Sequence, residues 1–254
     1  MLGLQHTLRA CGVDYEQEIN DFGQVAASED RARGKTFALR DHVRGLLFSQ
    51  LSNQRPWKPI AENWEAIGRI FLDYDPVALQ QTDPQRLEME IRTIRCGNRA
   101  IRKQMERLRT NIATFQRIES DFGSLDRFVT SDDPHRIAEQ LGDSGPYKLK
   151  HVGYTLALEY LRNVGIRAAK PDVHVRRILG PQRLSYFDHD PTEEEAAKQV
   201  ATLADEVGCN ATYLDNLLWL FCAQDYGNVC GASPRCKTCD LRAGCRYPKA
   251  TDSS

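Results

Sequence analysis

The chain has 254 residues, of which 41% are apolar, and its 34 basic side chains nearly balance its 35 acidic ones. This composition excludes an intrinsically disordered chain and supplies enough apolar side chains for one large core or two smaller ones. No apolar run approaches the length that a bilayer requires, so the sequence predicts no membrane segment and no membrane partner.

Apolar side chains repeat every three to four residues, for example at Ile60, Trp64, Ile67 and Phe71, and no stretch alternates as a strand does. The sequence therefore predicts an all-α fold. The expected helices span roughly residues 35–53, 56–72, 84–93, 97–119, 124–129, 133–141, 145–165, 172–179, 192–207 and 210–226. Because Asp is a good N-cap and Pro a good first residue, four Asp-Pro pairs predict helix starts, at residues 75–76, 83–84, 133–134 and 190–191.

Charge is segregated along the chain. The first thirty residues are acidic, whereas basic side chains cluster in residues 86–117, 148–183 and 235–249. Segregated basic charge suits a phosphate-binding face, and a solvated helix surface explains each cluster equally well when it is taken alone.

The segment Tyr147–Leu161 places a tight turn, Val152–Gly153, before a helix with an apolar face. The first amides of such a helix have no partner within it and can hold a phosphate oxygen whatever the base sequence. Further along, Asp172 stands at another helix start, where an Asp by itself indicates an N-cap.

Four cysteines close to the C-terminus, Cys230, Cys236, Cys239 and Cys245, are separated by five, two and five residues. They form a compact set of soft ligands that suits zinc or a four-iron cluster, and the spacing does not separate the two. Disulfides are disfavoured because the N-terminus has no features of a secretory signal. The remaining cysteines are predicted to be neutral thiols, at residues 11, 96, 209 and 222.

Several motifs in a fixed order carry a resemblance. They are Phe48–Asn53, Cys96–Ala100, the glycine turn, the Asp172-x-His174 helix start, and the cysteine loop preceded by Trp219–Cys222. From about residue 40 to residue 247 the chain resembles the helix-hairpin-helix (HhH-GPD) DNA glycosylases of the endonuclease III type. Each motif is weak alone, and their order and separation together are specific.

The resemblance implies two helical lobes with DNA bound across the cleft between them. Residues 1–45 and 169–254 form the cluster lobe, and residues 46–168 form a helical barrel lobe that ends in the helix-hairpin-helix. It also implies a [4Fe–4S] cluster held by the four cysteines and therefore favours iron–sulfur over zinc. The expected partner is double-stranded DNA containing a target base, and the protein is expected to be a monomer in the cytoplasm, associated with the nucleoid.

The resemblance also assigns roles to single residues. Asp172 matches the catalytic aspartate, whose charge stabilises the positive charge that develops on the deoxyribose or polarises the attacking water. Because a target base must leave the stack, Gln50 and Arg95 match positions that line the base pocket or fill the gap, and Tyr154 is a further pocket candidate. Each of these residues has an alternative role: Gln50 could be an exposed polar residue, Arg95 could contact a phosphate, and Tyr154 could pack in the core. DNA contacts fall on the hairpin residues Lys148, Lys150, His151, Val152 and Gly153.

The chain departs from the family pattern at several positions. Strand-cleaving members have Lys where this chain has Thr155, and Thr cannot form an imine. The sequence thus predicts a monofunctional enzyme that uses water to remove a damaged, mispaired or modified base. Two alternatives are a glycosylase/lyase using Lys148 or Lys150 and a non-catalytic iron–sulfur DNA-binding protein.

Three further departures concern the hairpin, the second acid and the cysteines. His151 replaces the hairpin's first glycine, and the first cysteine gap is one residue shorter than is usual in the family. The second acid of the adenine-removing branch falls on Gly45 or Leu46, so adenine opposite 8-oxoguanine is disfavoured. The sequence does not identify the target base.

Overall fold

The fold was analysed in a computed structural model, which describes residues 1–247. Within that range the chain forms fifteen α-helices and no strand, so the predicted all-α class is confirmed. The helices are α1 (Leu2–Ala10), α2 (Tyr15–Phe22), α3 (Gln24–Ala32), α4 (Leu39–Leu51), α5 (Lys58–Glu62), α6 (Trp64–Ile70), α7 (Pro76–Gln81), α8 (Pro84–Thr93), α9 (Ile101–Phe122), α10 (Leu125–Val129), α11 (Pro134–Gly142), α12 (Tyr154–Asn163), α13 (Val173–Leu179), α14 (Glu193–Glu206) and α15 (Ala211–Cys222). Three short 3-10 turns occur at Leu72–Tyr74, Cys236–Thr238 and Arg242–Gly244.

The Asp-Pro pairs mark helix starts in three of the four predicted places. The carboxylates of Asp75, Asp83 and Asp133 accept hydrogen bonds from the backbone N–H of residues 78, 85 and 135, at 2.8, 3.0 and 2.9 Å. The prediction was wrong at Asp190, because Thr192 caps α14 in a reciprocal capping box with Glu195.

Two other helix predictions also differ from the structure. The periodicity placed no individual helix before residue 35, although the resemblance implied a helical segment over residues 1–45, and α1, α2 and α3 lie there. The helix predicted over 145–165 begins only at Tyr154, because Gly145 and His151 adopt positive φ angles of 108° and 56° that interrupt a right-handed helix.

The chain divides into two compact units. The terminal unit joins Met1–Val25 to Arg167–Ser254, and the central unit is Ala26–Ile166. The first boundary expected from the sequence, at residues 45–46, falls inside α4 in the structure. Both halves of α4 bury side chains, and the helix packs on α9 and α12, so it belongs as a whole to the central unit.

The central unit is organised around α4, which lies against α12. Gly45 makes this approach possible, since a Cβ there would stand only 3.0 Å from Val164 Cγ1 and 3.3 Å from the Asn163 Cβ. The Asn163 side chain also donates a hydrogen bond of 2.9 Å to the Gly45 carbonyl. A carboxylate therefore has no room at residue 45, which agrees with the departure from the adenine-removing pattern noted in the sequence.

A buried polar network joins α3, α4, α10 and α12 within this unit. Arg31 donates to Asp126 Oδ1 at 2.6 Å and to the Val164 carbonyl at 2.7 Å, and His42 Nδ1 lies 2.6 Å from the Tyr160 hydroxyl. Burial lowers the pKa of His42 and raises that of Tyr160, so the hydroxyl donates to a neutral imidazole. Burial acts to raise the pKa of Asp126, but His42, whose Nε2 lies 3.6 Å away, and the hydrogen bond from Arg31 outweigh it and lower this pKa to about 2.

We expect this network to make the protein sensitive to acid in two steps. Because His42 titrates more easily in the unfolded chain, stability should fall as the pH drops below about 6.5, the ordinary value for His. Because the pKa of Asp126 is lowered by folding, a further 1–2 kcal/mol, roughly, should be lost between about pH 4 and pH 2. Thermal unfolding across pH checks both steps. Asp126→Asn should be less stable at pH 7 and should lose the lower step, and an unchanged lower step would contradict this account.

The terminal unit is built around α15, which buries Leu214, Leu217, Leu220 and Phe221. Helix α1 packs on it, and Gln5 donates a hydrogen bond of 3.0 Å to the Tyr213 hydroxyl. The same helix also contacts the cysteine loop from Cys230 to Cys245. Its Thr7 hydroxyl accepts from the Asp240 amide at 3.1 Å, and His6 bonds to the Asp240 carboxylate. No helix within residues 1–247 combines the length and the apolar character needed to cross a membrane.

Candidate active site

The hairpin between α11 and α12 is fixed by contacts inside the central unit. The buried side chain of Asn111, on α9, accepts from the Lys150 amide at 2.7 Å and donates to the Lys150 carbonyl at 3.0 Å. Gly142, the last residue of α11, lies so close to α12 that a Cβ there would be 2.6 Å from the Tyr154 amide nitrogen. The hairpin backbone is therefore held in one geometry by two residues that the sequence analysis did not single out. Asn111 could have been noticed in the sequence as a polar residue on the mostly apolar face of α9.

The N-terminus of α12 is open for an anion. Gly153 is its N-cap, is exposed, and supplies no side-chain acceptor, so the first amides of the helix have no side-chain cap. Val152, in contrast, is buried and acts as an apolar anchor of the turn. The predicted turn and the uncapped helix start are therefore present, and phosphate binding there stays a prediction.

His151 occupies the left-handed region with φ of 56°, where L side chains are strained. The position therefore needs the conformation that glycine adopts most easily. We expect His151→Gly to raise the free energy of unfolding by about 0.5–1 kcal/mol. The substitution relieves the backbone strain, and the greater entropy of glycine in the unfolded chain offsets part of this gain. Lys150→Gly, one residue earlier at an ordinary φ, is the matched control and should destabilise. Chemical denaturation measures both, and a destabilising His151→Gly would contradict the strain argument.

The two hairpin lysines differ in their contacts. Lys148 Nζ donates a hydrogen bond of 3.0 Å to the Val152 carbonyl, so its amine is used to close the turn. The Lys150 side chain is exposed and makes no ion pair within residues 1–247. Lys150 is therefore the freer of the two cations.

Tyr154 and Thr155 begin α12 with their side chains largely inside the central unit. Tyr154 is 9% exposed, and its hydroxyl lies 2.6 Å from His135 Nδ1 while the two rings stack at 6.3 Å. The Thr155 hydroxyl is buried and has no hydrogen-bond partner in the described part of the chain. Tyr154 is thus held by α11, and the role in a base pocket stays a prediction for it.

Gln50 and Arg95 differ strongly in exposure. Gln50 is fully buried, and both polar atoms of its amide lack a partner among the described residues. Arg95 is exposed and has a left-handed φ of 58°. Asn98 links the two segments by donating to the Gln50 carbonyl at 2.6 Å. Of these two side chains, only that of Arg95 is exposed at the surface of the central unit.

Asp172 belongs to the terminal unit and caps α13. Its Oδ1 accepts from the amides of His174 and Val175 at 2.8 and 3.1 Å, whereas Oδ2 accepts no hydrogen bond from any described residue. The side chain is half-buried. One oxygen therefore fixes the carboxylate, and the other stays available.

The segment that leads to Asp172 is anchored to α15. The Thr212 hydroxyl bonds to both the amide and the carbonyl of Ala168, at 3.3 and 3.1 Å, and Asp215 accepts from the Lys170 amide at 3.1 Å. The sequence analysis missed both α15 residues, since their partners lie about 45 positions earlier in the chain and no local pattern announces such contacts.

His174 lies beside Asp172 with a buried Nδ1 that has no hydrogen-bond partner within residues 1–247. Burial lowers the pKa of this imidazole, although the charge of Asp172 acts in the opposite direction. Its ring packs edge-on against Trp219 at 6.4 Å. The neutral ring gives Asp172 an apolar neighbour and does not neutralise it.

The four cysteines of the loop form no disulfide within residues 1–247, and neither do the other four. Within residues 1–247 no three Cys, His, Asp or Glu side chains form a metal-binding group. The thiols are nevertheless close enough to affect one another, because the charges of Cys230, Cys236 and Cys245 each act to raise the pKa of Cys239, after burial, to about 11. A set of four free, mutually coupled thiols on one loop fits a soft metal or an iron–sulfur cluster in its donor chemistry.

Cys222 adjoins this loop. Its thiol lies 4.0 Å from the His174 carbonyl, and its proximity to Cys230, helped by Arg183, lowers the pKa of Cys230 to about 7. Cys222 itself is buried with a strongly raised pKa, as expected for a neutral thiol. Part of the predicted basic cluster at 235–249, residues 248 and 249, lies outside the described residues.

Neither a protein-family model nor a curated protein matches this chain. Solved structures of low identity do match. The 8-oxoguanine glycosylase/lyase of Methanocaldococcus jannaschii, in complex with a 15mer DNA containing 8-oxoguanine, is 20% identical, with a TM-score of 0.56 over 87% of this chain and 97% of that one. The 8-oxoguanine DNA glycosylase of the same organism is 19% identical, with a TM-score of 0.57 over 87% of this chain and 94% of that one. The 8-oxoguanine DNA glycosylase of Thermotoga maritima is 17% identical, with a TM-score of 0.57 over 87% of this chain and 97% of that one. The chain thus has the helical fold of these DNA glycosylases, as the motifs predicted.

Proposed function

We propose that this chain is a DNA glycosylase that binds double-stranded DNA, turns out a damaged, mispaired or modified base, and hydrolyses its N-glycosidic bond. The state of Asp172 carries the proposal. A carboxylate held at a helix N-terminus by one oxygen, with the other unengaged and a neutral imidazole beside it, is a fixed negative charge in a partly dry environment. The open N-terminus of α12 adds a site for a DNA phosphate.

In this mechanism Asp172 stabilises the positive charge that develops on the deoxyribose as the bond to the base stretches. The bond between C1′ and the base nitrogen breaks, its electron pair leaves with the base, and a water molecule adds to C1′; the proton that this water loses balances the proton that the base takes up. Asp172 acts through charge or by accepting a proton from that water. No covalent bond to the protein is required.

Thr155 supports the monofunctional form of this proposal. A hydroxyl cannot form an imine with the sugar aldehyde, and the amine of Lys148 is engaged with the Val152 carbonyl. Water is then the nucleophile and an intact abasic strand is the product. One of the structural neighbours is named a glycosylase/lyase, so this chain would differ from it in outcome while sharing its fold.

A panel of duplexes tests the proposed function. Each carries one candidate base: 8-oxoguanine first, then uracil, a thymine mispair, an alkylated purine, an oxidised pyrimidine and a bulky modified base. Excision without strand cleavage is detected as a strand that is cut only after treatment with hot alkali. Borohydride detects an imine intermediate by trapping it as a covalent protein–DNA adduct. No excision from any duplex, with DNA binding retained, would favour a non-catalytic DNA-binding protein.

We further propose that Cys230, Cys236, Cys239 and Cys245 hold a [4Fe–4S] cluster with a structural role. When bound, such a cluster would cross-link the loop, and no step of the reaction passes through it. The loop carries the basic residues Arg235, Lys237 and Arg242, and α1 holds its position through Thr7. A fixed loop would present these charges to the DNA backbone.

The cluster has a visible test. We expect the purified protein to be yellow-brown, with a broad absorbance near about 400 nm. Cys239→Ser should lose the colour, stability and DNA affinity together, because the cluster and the folded loop depend on each other. Cys209→Ser is the matched control outside the loop and should keep all three. A colourless, fully folded wild-type protein containing one zinc would contradict the iron–sulfur assignment.

A further inference from the structure

The turn between α8 and α9 carries two exposed arginines, Arg95 and Arg99, and of these two only Arg95 has a strained backbone. Arg95 has the left-handed φ of 58° and an exposed side chain, whereas Cys96 and Asn98 beside it are buried. The nearest arginines on the two helices are engaged, Arg92 with Glu88 at 2.9 Å and Arg102 with Glu106 at 3.1 Å. Arg95 has no ion pair in the described part of the chain. It is therefore a free cation whose direction is set by its backbone.

Arg55, in the loop after α4, holds that backbone. Its guanidinium donates through Nη1 to the Gly97 carbonyl and through Nη2 to the Arg95 carbonyl. One planar side chain thus bridges two carbonyls of the turn, which a lysine ammonium cannot reproduce in the same geometry. Gln54, immediately before Arg55, is itself left-handed with φ of 52°. Two strained loops are therefore fastened to each other.

Two more contacts fix the same turn from below. The Cys96 thiol donates to the Pro59 carbonyl at 3.3 Å, and Asn98 donates to the Gln50 carbonyl at 2.6 Å. These bonds hold buried residues and would persist in any solvent-exposed rearrangement of the turn. The Arg55 bond to Arg95 is the one that reaches the exposed tip. Without it, the left-handed conformation of Arg95, which costs about 1–2 kcal/mol, is held only by the backbone bonds that end α8, from the Arg95 amide to the Arg92 carbonyl at 2.9 Å and from the Cys96 amide to the Ile91 carbonyl at 3.0 Å.

We propose that Arg55 is a positioning residue for base extrusion. It locks the turn so that the side chain of Arg95 is presented, before DNA binds, as the group that enters the gap left by the extruded base. This inference rests on the proposed function. A direct phosphate contact by Arg55 is disfavoured, because both terminal nitrogens already bind carbonyls and its Nε is buried.

The test uses Arg55→Lys and Arg55→Gln in the full-length protein. A duplex with a tetrahydrofuran abasic analogue, flanked by 2-aminopurine, reports entry of a side chain into the gap as a change in fluorescence. A second duplex, carrying the base that the panel finds to be excised, gives the single-turnover excision rate. We expect both variants to slow the fluorescence change and the excision about tenfold, while Kd for the first duplex stays within about twofold. Arg69→Lys, which changes an exposed arginine paired to Glu65 at 3.6 Å, is the matched control and should change nothing.

A double-mutant cycle with Arg95→Ala separates positioning from general stabilisation. If Arg55 acts through Arg95, Arg55→Lys should have no further effect on excision once Arg95 is alanine. The same tenfold loss in both backgrounds, or a wild-type rate in Arg55→Lys, would overturn the inference. Thermal unfolding of each variant shows whether it is folded, and Arg55→Gln replaces Arg55→Lys if the latter is not.

Failure of this inference can be told apart from failure of the proposed function. The assay with the abasic duplex requires no bond cleavage. A wild-type protein that gives the fluorescence change but excises no base would therefore contradict the proposed function. The role of Arg55 would then be tested by the fluorescence change of its variants alone. A wild-type protein that excises a base, with Arg55→Lys equal to it in both assays, contradicts only the role of Arg55. Absence of both signals in the wild type contradicts both.

Discussion

Asp172→Asn should lower the single-turnover excision rate by two to three orders of magnitude, roughly, while leaving the fold intact. The amide oxygen of Asn can accept the hydrogen bonds from the His174 and Val175 amides that the carboxylate accepts now, at 2.8 and 3.1 Å, so the cap of α13 survives. What disappears is the negative charge on the second oxygen, which the transition state needs. Rapid-quench excision assays on the base found by the panel measure the loss.

Binding distinguishes this outcome from a simple loss of structure. We expect Asp172→Asn to bind DNA as tightly as the wild type or more tightly, because a carboxylate repels phosphates in the ground state. Asp133→Asn, another Asp that caps a helix through its side chain, is the matched control and should keep full activity. Near-normal excision by Asp172→Asn would return Asp172 to the role of a helix cap alone.

Thr155→Lys should create an activity that the wild type lacks. A lysine at the first turn of α12 brings an amine to the position from which strand-cleaving relatives attack the sugar, and borohydride should then trap a covalent protein–DNA adduct. The buried, unpartnered environment of the Thr155 hydroxyl helps, since burial would favour the neutral, nucleophilic form of the amine. The gain should be qualitative, from no trapped adduct to a clear one.

The matched control for this substitution is Thr155→Met, which has a similar length and no amine. It should give no adduct, and its folding should match that of Thr155→Lys. A Thr155→Lys protein that excises the base and still leaves an intact abasic strand would mean that the hairpin was aligned incorrectly with those of the strand-cleaving enzymes. An adduct in the wild type would instead support the alternative in which Lys148 or Lys150 reacts.

Local signals in the sequence were enough for the all-α class, most helix starts and the hairpin turn. The sequence predicted the helix starts at Asp75, Asp83 and Asp133 correctly, because a helix cap is formed between residues no more than three positions apart. The start of α14 was not, since Thr192 competed successfully with the Asp-Pro pair just before it. The family pattern showed only that His151 stands in the place of a glycine, and its positive φ became visible with the structure.

Long-range placement escaped the sequence for a physical reason. Whether Gln50 points outward or inward depends on how α4 packs among its neighbours, and its burial became visible only with the tertiary structure. The same holds for Arg55, whose partners lie some 40 residues away in another loop. An isolated arginine next to a proline has no pattern that announces such a contact. The N-cap role of Asp172 could be predicted because a cap is local, but its anchors on α15 could not.

The link between α1 and the cysteine loop sets an order of assembly. Residues 26–166 form a contiguous unit that can fold as soon as they leave the ribosome. Helix α1 leaves first, yet its hydroxyl at Thr7 must wait for the amide of Asp240, 233 positions later. Closing so long a loop makes the terminal unit the slower one to form. Helix α1 therefore remains without this contact until the cysteine loop has been synthesised.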